Sequence, residues 1–111
     1  MNTDWLYLSA RQLVAQLQSG EISSRALLET YIARINDKNG QINAVVALDL
    51  NAARARADAA DAAIANGENW GPLHGLPVTI KDTFEVTGMP CTAGAEEFRH
   101  HVPTQAASAV Q

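Results

Sequence analysis

The apolar positions near the start of the chain repeat at the spacing of an α-helix. Leu13, Val14 and Leu17 fall on one face of a predicted first helix. Ser9, with Gln12 three residues later, has the pattern of a capping box, so we expect the helix to begin there. Gly20 follows the last apolar position and marks the expected end of this helix.

A second predicted helix follows at once. Either Ser23 or Ser24 is expected to cap its start, since both are short hydroxyl residues at the right place. Its apolar residues repeat at helical spacing, and these are Leu27, Leu28, Tyr31, Ile32 and Ile35. Gly40 lies where a left-handed residue usually ends a helix, so we predict the end there.

The third predicted helix is dense in alanine, with nine alanines among residues 52–65. It opens at Asp49 or Asn51 and ends at Asn66-Gly67. Because alanine favours helix but buries little area, we interpret it as an outer helix that faces solvent. Residues 43–48, which precede it, fit a short buried strand or an extended connector, and periodicity does not separate the two.

Beyond residue 66 the sequence changes character, because all four prolines and five of the seven glycines lie there. Val78, Thr79 and Ile80 are branched at Cβ and predict a short strand that ends at Lys81. On spacing alone, Lys81 marks the point where this strand leaves the core and meets water. Further along, only a turn around Glu96–Phe98 is predicted, so the rest of the chain is mostly loop.

The composition limits the classes of function. With 111 residues, the chain is long enough for one domain and too short for two. The net charge of −4 and the lack of a basic cluster argue against nucleic-acid binding. Cys91 is the only cysteine, which excludes an internal disulfide and suits a reducing, cytoplasmic location. Neither a signal peptide nor an apolar run of membrane-spanning length is predicted.

One segment carries most of the chemical information. Residues Gly71–Asp82 read GPLHGLPVTIKD, and they are followed by Gly88–Pro90 and Thr92–Gly94. This combination closely resembles the amidase signature family, serine hydrolases that cleave carboxamides. The N-terminal part is similar to the same family, since residues 8–10, 19–24 and 42–45 occur in its usual order. The resemblance covers nearly the whole chain.

The resemblance implies an α/β fold in which helices flank a mixed sheet. This segment is expected to be mostly helical, with one or two short strands. Residues 1–66 would form a helical N-terminal region and residues 67–111 a Gly/Pro-rich segment with the Lys81 strand, together part of one amidase domain. The family uses a Ser–Ser–Lys triad, in which a second serine, held by a cis peptide, relays the proton. Lys81 matches the lysine of that triad.

The resemblance implies neither a cofactor nor a metal, and the substrate would be a small-molecule amide. It is compatible with a homo-oligomer. Both family serines lie in a Gly/Ser-rich segment that these 111 residues do not contain. A lysine base must lose its charge, which requires burial, so we expect Lys81 to be an ordinary cation here and this chain alone to be inactive.

The main interpretation is that this chain is part of a free-standing amidase, and two other interpretations stay open. The first is a non-catalytic helical interaction module. The second is a fragment of the A subunit of a tRNA-dependent amidotransferase, which would need partner subunits and tRNA that leave no mark in these residues. Between the two kinds of enzyme, the free-standing amidase is the favoured interpretation.

Other reactive side chains have simpler interpretations. Cys91 has no base near it in sequence, so we interpret it as a small buried or loop residue rather than a nucleophile. His74 is expected to order the motif loop. His100 and His101 diverge on any regular element and lack a third ligand at zinc-site spacing, so no metal site is predicted. Asp82 is expected to pair with nearby charges or to accept backbone N–H bonds.

Overall fold

The computed structural model describes residues 2–111, and its regular elements are helices. Helix α1 spans Ala10–Gln18, α2 spans Ser24–Ile42 and α3 spans Leu50–Ala65. Two short 3₁₀ helices span Thr3–Tyr7 and Glu96–Phe98. The three predicted α-helices and the turn at the second 3₁₀ helix are confirmed. The first 3₁₀ helix was not predicted.

The chain divides into two compact units, which we describe separately. Unit 1 comprises Met1–Ile42 and Leu50–Pro77, and unit 2 comprises Asn43–Asp49 and Val78–Gln111. All three α-helices belong to unit 1, whereas the regular structure of unit 2 is the one 3₁₀ helix at Glu96–Phe98. Within residues 2–111, no helix combines the length and the apolar character needed to span a lipid bilayer.

Helix α1 begins as its sequence predicts. The Ser9 hydroxyl oxygen accepts a hydrogen bond from the Gln12 N–H at 3.3 Å, and the Gln12 side-chain oxygen accepts one from the Ser9 N–H at 2.9 Å. This reciprocal pair is the predicted capping box, which satisfies two donors that the helix itself leaves free. After the helix, Gly20 adopts a φ of +75°, as expected of a terminating glycine.

Helix α2 begins where predicted but ends later. The Ser23 hydroxyl accepts a hydrogen bond from the Ala26 N–H at 3.0 Å, so Ser23 is the N-cap residue of α2. The predicted end at Gly40 is wrong, because α2 continues to Ile42. The left-handed residue is instead Asn43, with a φ of +53°. Asparagine tolerates this conformation better than most residues because its side chain bonds locally.

The hydrophobic core of unit 1 is formed by α1, the turn after it and α2. Leu17 and Leu27 are completely buried, and Leu13 and Ile22 lie beside them. Burying each such leucine is worth about 1.5–3 kcal/mol. Partly buried apolar side chains pack around this cluster, namely Trp5, Leu8, Tyr31 and Leu76. The last of these brings the GPLHGLPVTIKD motif into contact with the core.

Helix α3 contacts α2, and its small side chains face inward. Ala57, Ala60 and Ala63 are buried at a spacing of three residues, which places them on one stripe of the helix. The interpretation of α3 as a solvent-facing outer helix is therefore wrong for this stripe. These alanines contribute to packing, because their short side chains let α2 lie close to α3.

The carboxylate of Asp61 in α3 caps α2 from outside that helix. It accepts hydrogen bonds from the N–H groups of Ser24 at 2.6 Å and Arg25 at 3.1 Å. The first N–H groups of a helix lack partners within it and carry partial positive charge. One carboxylate therefore completes the start of α2 and ties α3 to it.

A charge network also joins α2 and α3. Arg25 donates hydrogen bonds to Asp58, at 2.6 and 2.9 Å, and to Glu29, at 2.9 Å. Arg54 donates to both oxygens of Glu29, at 2.7 and 3.0 Å, rather than to Asp58 four residues along its own helix. The guanidinium groups of Arg54 and then Arg25 lower the pKa of Glu29 to about 2.

No strand forms at Val78–Ile80, where one was predicted. Residues 43–49 and 76–81 have no regular secondary structure, so the first segment is a connector rather than a strand. The backbone N–H and C=O groups of Val78–Ile80 make no hydrogen bond to any residue in 2–111. A strand exists only with a neighbour to bond to, and no described segment supplies one. The sheet of the expected α/β fold is therefore absent from this part of the chain.

Replacing Glu29 by glutamine is expected to lower the Tm by a few degrees at neutral pH, since Arg54 loses its charged partner and Arg25 keeps only Asp58. The pKa of Glu29, at about 2, lies below its ordinary value of 4.5. Its stabilisation is therefore complete above that ordinary value and is lost as the pH falls from about 4.5 to about 2. Thermal unfolding across this range should show the two proteins converging in stability at the acid end.

Asp37→Asn is the matched control, because Asp37 is exposed and pairs with its sequence neighbour Lys38. We expect little change in Tm for this variant. A Glu29→Gln protein as stable as the wild type at neutral pH would contradict the role given to the network.

Candidate functional site

The GPLHGLPVTIKD motif begins as a turn in unit 1. Residues 72–75 form this turn, in which the His74 N–H donates to the Gly71 carbonyl at 3.1 Å. Gly75 has a φ of +78°, a left-handed conformation that strongly favours glycine. An added Cβ there would lie 3.4 Å from the Cβ of Ser24. Glycine therefore lets the loop turn against the start of α2.

Ser24 holds the motif loop in place. Its hydroxyl donates a hydrogen bond to the Gly75 carbonyl at 2.7 Å, and its own N–H donates to Asp61. The residue is only 3% exposed, so water cannot easily replace either bond. One serine thus links the loop, α2 and α3, a function that the sequence pattern did not reveal.

His74 fastens the same loop to α3. Its Nδ1 accepts a hydrogen bond from the Trp70 N–H at 2.9 Å, and its Nε2 lies 3.0 Å from the Ala60 carbonyl oxygen. Since a backbone N–H can only donate, Nδ1 must carry the lone pair, and the ring proton must lie on Nε2. His74 is therefore a buried neutral imidazole with both nitrogens occupied. The expectation that it orders the loop is confirmed.

Aromatic and cationic contacts complete this anchor. The Trp70 ring stacks on His74, with centroids 4.6 Å apart and planes 6° from parallel. The Arg56 guanidinium lies 4.2 Å from the centroid of the Trp70 ring, within the range of a cation–π contact. Arg56 belongs to α3, so this contact adds a second connection between the motif loop and that helix.

Lys81, the predicted catalytic residue, lies in unit 2 with its side chain exposed. Its carbonyl accepts a hydrogen bond from the Phe84 N–H at 2.9 Å, which closes a turn. Its amine makes no hydrogen bond or ion pair with any residue of the described part of the chain. A lysine that acts as a base needs a pocket that excludes water, and residues 2–111 do not build one around it.

Asp82 connects the lysine segment to Thr92–Gly94, another part of the sequence resemblance. Its carboxylate accepts hydrogen bonds from the hydroxyl and the N–H of Thr92, and its carbonyl accepts one from the Ala93 N–H. These bonds hold the pKa of Asp82 below its ordinary value, and the bond from the Thr92 hydroxyl has the largest effect. The expectation that Asp82 accepts backbone N–H bonds is confirmed. The sequence did not predict that Thr92, ten residues further along, is its partner.

Cys91 is buried beside this contact. Burial, with smaller effects from the carboxylates of Asp82 and Glu85, raises the pKa of its thiol. A raised pKa leaves less of the reactive thiolate. The interpretation of Cys91 as a small buried residue rather than a nucleophile is therefore confirmed.

The two adjacent histidines have different surroundings. His101 Nε2 lies 2.6 Å from the Glu85 carboxylate, while His100 is exposed. Across residues 2–111, no three side chains of His, Cys, Asp or Glu are placed to hold a metal ion together.

Comparison with known proteins defines the family. The amidase family profile matches residues 26–111, so the chain belongs to the amidase family. It is 38% identical over 104 residues to the A subunit of the glutamyl-tRNA(Gln) amidotransferase of Anaeromyxobacter sp. (strain K), covering 94% of this chain. It is 42% identical over 94 residues, 85% of this chain, to the protein of the same name from Thermobifida fusca (strain YX). These matches cover 21% and 19% of the two relatives, so the chain spans about a fifth of their length.

A solved structure also superimposes on this chain. It is described as "An unexpected vestigial protein complex reveals the evolutionary origins of an s-triazine catabolic enzyme", and it is 33% identical with a TM-score of 0.86. The match covers 93% of this chain and 23% of the other. The helical segment seen here is thus similar to part of a much longer chain.

Replacing His74 by alanine is expected to destabilise the protein by about 2–4 kcal/mol, because it leaves the Trp70 N–H without its acceptor and removes a buried side chain that joins the motif loop to α3. Chemical denaturation measures this cost. His100→Ala is the matched control, since His100 is exposed, and we expect a change within about 0.5 kcal/mol. Nitrogen chemical shifts of the wild-type ring should report a proton on Nε2. A proton on Nδ1 would refute the assignment.

Proposed function

We propose that this chain contributes Lys81, as general base, to an amide-cleaving active site of the amidase family. The observation that carries the proposal is the position of Lys81 at the end of the GPLHGLPVTIK run, inside the region that matches the family. The residues before it support the proposal too, because His74 and Ser24 fix the loop from which the lysine segment emerges.

In the proposed reaction, Lys81 accepts a proton from a relay serine, which in turn takes the proton of a nucleophilic serine. The nucleophilic oxygen attacks the carboxamide carbon and forms a C–O bond. The C–N bond then breaks, and the proton moves to the departing nitrogen as ammonia or an amine. Water next attacks the acyl-serine ester, which releases the carboxylic acid and restores the serine. One amide and one water thus give one acid and one amine.

In the proposed reaction, the nucleophilic serine and the relay serine both lie outside residues 2–111. Ser23 caps α2, and the buried hydroxyl of Ser24 is bonded to the Gly75 carbonyl, so the adjacent pair is already engaged in structure. The relatives are about five times as long as their match to this chain, which leaves room for a Gly/Ser-rich segment. We therefore propose that these 111 residues alone do not hydrolyse amides.

A second candidate function has specific support. Several similar relatives carry the name of the A subunit of a glutamyl-tRNA(Gln) amidotransferase. In this candidate, the nitrogen released by the same amide cleavage is transferred, with glutamyl-tRNA(Gln) as acceptor. Amide cleavage by the protein that carries this chain would then rise when that tRNA is present. A free-standing amidase would be indifferent to it.

The test uses a chimera in which this chain replaces the matching residues of the Thermobifida fusca relative. Lys81→Ala in the chimera is expected to slow the hydrolysis of a simple carboxamide by about 10²–10⁴-fold. Lys38→Ala is the matched control, because Lys38 is the one other lysine of the chain and lies in α2. We expect that variant to keep full activity.

The isolated chain should show no turnover in the same assay. Hydrolysis by the isolated chain that Lys81→Ala abolishes would overturn the proposed need for outside serines. A chimera whose rate is unchanged by Lys81→Ala would overturn the role of the lysine itself.

A further inference from the structure

Lys81 stands at the start of a turn whose backbone is fixed on its C-terminal side. The Lys81 carbonyl accepts a hydrogen bond from the Phe84 N–H at 2.9 Å. The next residue, Asp82, accepts three more bonds. Its carbonyl accepts one from the Ala93 N–H at 2.9 Å, and its carboxylate accepts two from Thr92, one from the N–H at 3.1 Å and one from the hydroxyl. The lysine is therefore joined, through its immediate neighbour, to a segment ten residues further along the chain.

The Thr92 side chain is committed to this contact. Its hydroxyl has one proton and an ionised carboxylate can only accept, so this proton must lie in the bond to Asp82. The same hydroxyl oxygen accepts a hydrogen bond from the Gly94 N–H at 3.3 Å. The Thr92 carbonyl accepts another from the Ala95 N–H at 2.9 Å, which closes a turn. The turn of Thr92 thus fixes the direction of the donors that meet Asp82.

The backbone beside Thr92 is strained. Ala93 has a φ of +50°, a left-handed conformation that residues with a side chain rarely adopt. In this conformation the N–H groups of Thr92 and Ala93, which follow each other in the chain, both meet Asp82. Strained backbone of this kind persists where the surrounding contacts fix it, and it occurs most often at functional sites. The strain at Ala93 therefore indicates that the contact with Asp82 serves more than stability.

The contact also occupies the carboxylate that is next to the lysine in sequence. Each of its two oxygens accepts a hydrogen bond from Thr92, Oδ1 from the N–H and Oδ2 from the hydroxyl. Lys81 forms no ion pair within residues 2–111. An amine that pairs with a carboxylate is favoured in its charged form, which cannot accept a proton. By bonding to Thr92, the Asp82 carboxylate is held away from this role.

We propose that Asp82 is a positioning residue for Lys81, held in place by Thr92. Asp82 does not touch the reacting atoms. It fixes the backbone from which the lysine side chain extends, and it is itself kept from pairing with the amine. This inference rests on the proposed function of Lys81 as general base. A base must lie within hydrogen-bond reach of the proton that it accepts, so a displacement of about 1 Å costs about 100-fold in rate.

The test measures kcat and KM for a simple carboxamide in the Thermobifida fusca chimera. Asp82→Ala is expected to lower kcat about 10–100-fold and to leave KM unchanged, because it displaces the base and not the groups that bind the substrate. In a Lys81→Ala chimera the same substitution should lower kcat no further, since no lysine remains to be positioned. An equal loss in both backgrounds would mean that Asp82 acts only on stability, and it would overturn the proposal.

A milder pair of variants keeps the test decisive if Asp82→Ala does not fold. Thr92→Val removes only the hydroxyl donor and should lower kcat by up to about tenfold, again only when Lys81 is present. Thr92→Ser keeps the hydroxyl and should restore the rate. Thr104→Val is the matched control, because Thr104 is an exposed threonine of the same unit, and we expect its kcat to be unchanged.

The outcomes separate this inference from the function on which it rests. If Lys81→Ala slows hydrolysis while Asp82→Ala and Thr92→Val both keep a normal kcat, the positioning role is refuted and the proposed function stands. If Lys81→Ala leaves the rate unchanged, the proposed function is refuted and the positioning role with it.

Discussion

The arrangement of unit 1 depends on the carboxylate of Asp61. Its oxygens accept hydrogen bonds from the first two N–H groups of α2, at N···O distances of 2.6 and 3.1 Å. These bonds join α3 to the start of α2. Ser24 is one of the two donors, and its hydroxyl also donates a hydrogen bond to the Gly75 carbonyl in the motif loop. Without the carboxylate, two partly buried donors would lose their partner, which is costly because helix starts cannot bond to themselves. A single acidic side chain thus orders two helices and a loop.

The GPLHGLPVTIKD motif divides into two physically different halves. In the first half, His74 and Gly75 have their polar groups bonded within unit 1, and Leu76 packs on the core. In the second half, Val78–Ile80 are exposed and their backbone groups are free of partners in residues 2–111. A motif of reactive appearance is therefore in large part a structural anchor. Lys81, for which we propose a role as general base, follows this second half directly, and its side chain is exposed.

Features that depend on near neighbours were predictable from the sequence. The capping box of Ser9 and Gln12 formed, because both members lie within one turn and need nothing else. The left-handed Gly67 after α3 follows for the same reason, as does the cap at Ser23, one of the two serines that the pattern allowed. The end of α2 was missed, because the left-handed residue is Asn43, three residues after Gly40, whereas glycine is the commoner residue at that position. Features that depend on distant partners were not predictable. The burial of the α3 alanines is decided by α2, and the bond between Asp82 and Thr92 joins two loop residues that no pattern relates.

Unit 2 lacks burial, both around its apolar side chains and around Lys81. Seven of its large apolar side chains are about half exposed, so covering them would contribute about 5–10 kcal/mol, comparable to the total stability of a small domain. Lys81 follows Val78–Ile80 directly in the chain, and its side chain is exposed as well. A lysine that acts as a base requires water to be excluded from its amine, and neither spacing along the chain nor the fold of residues 2–111 supplies this exclusion.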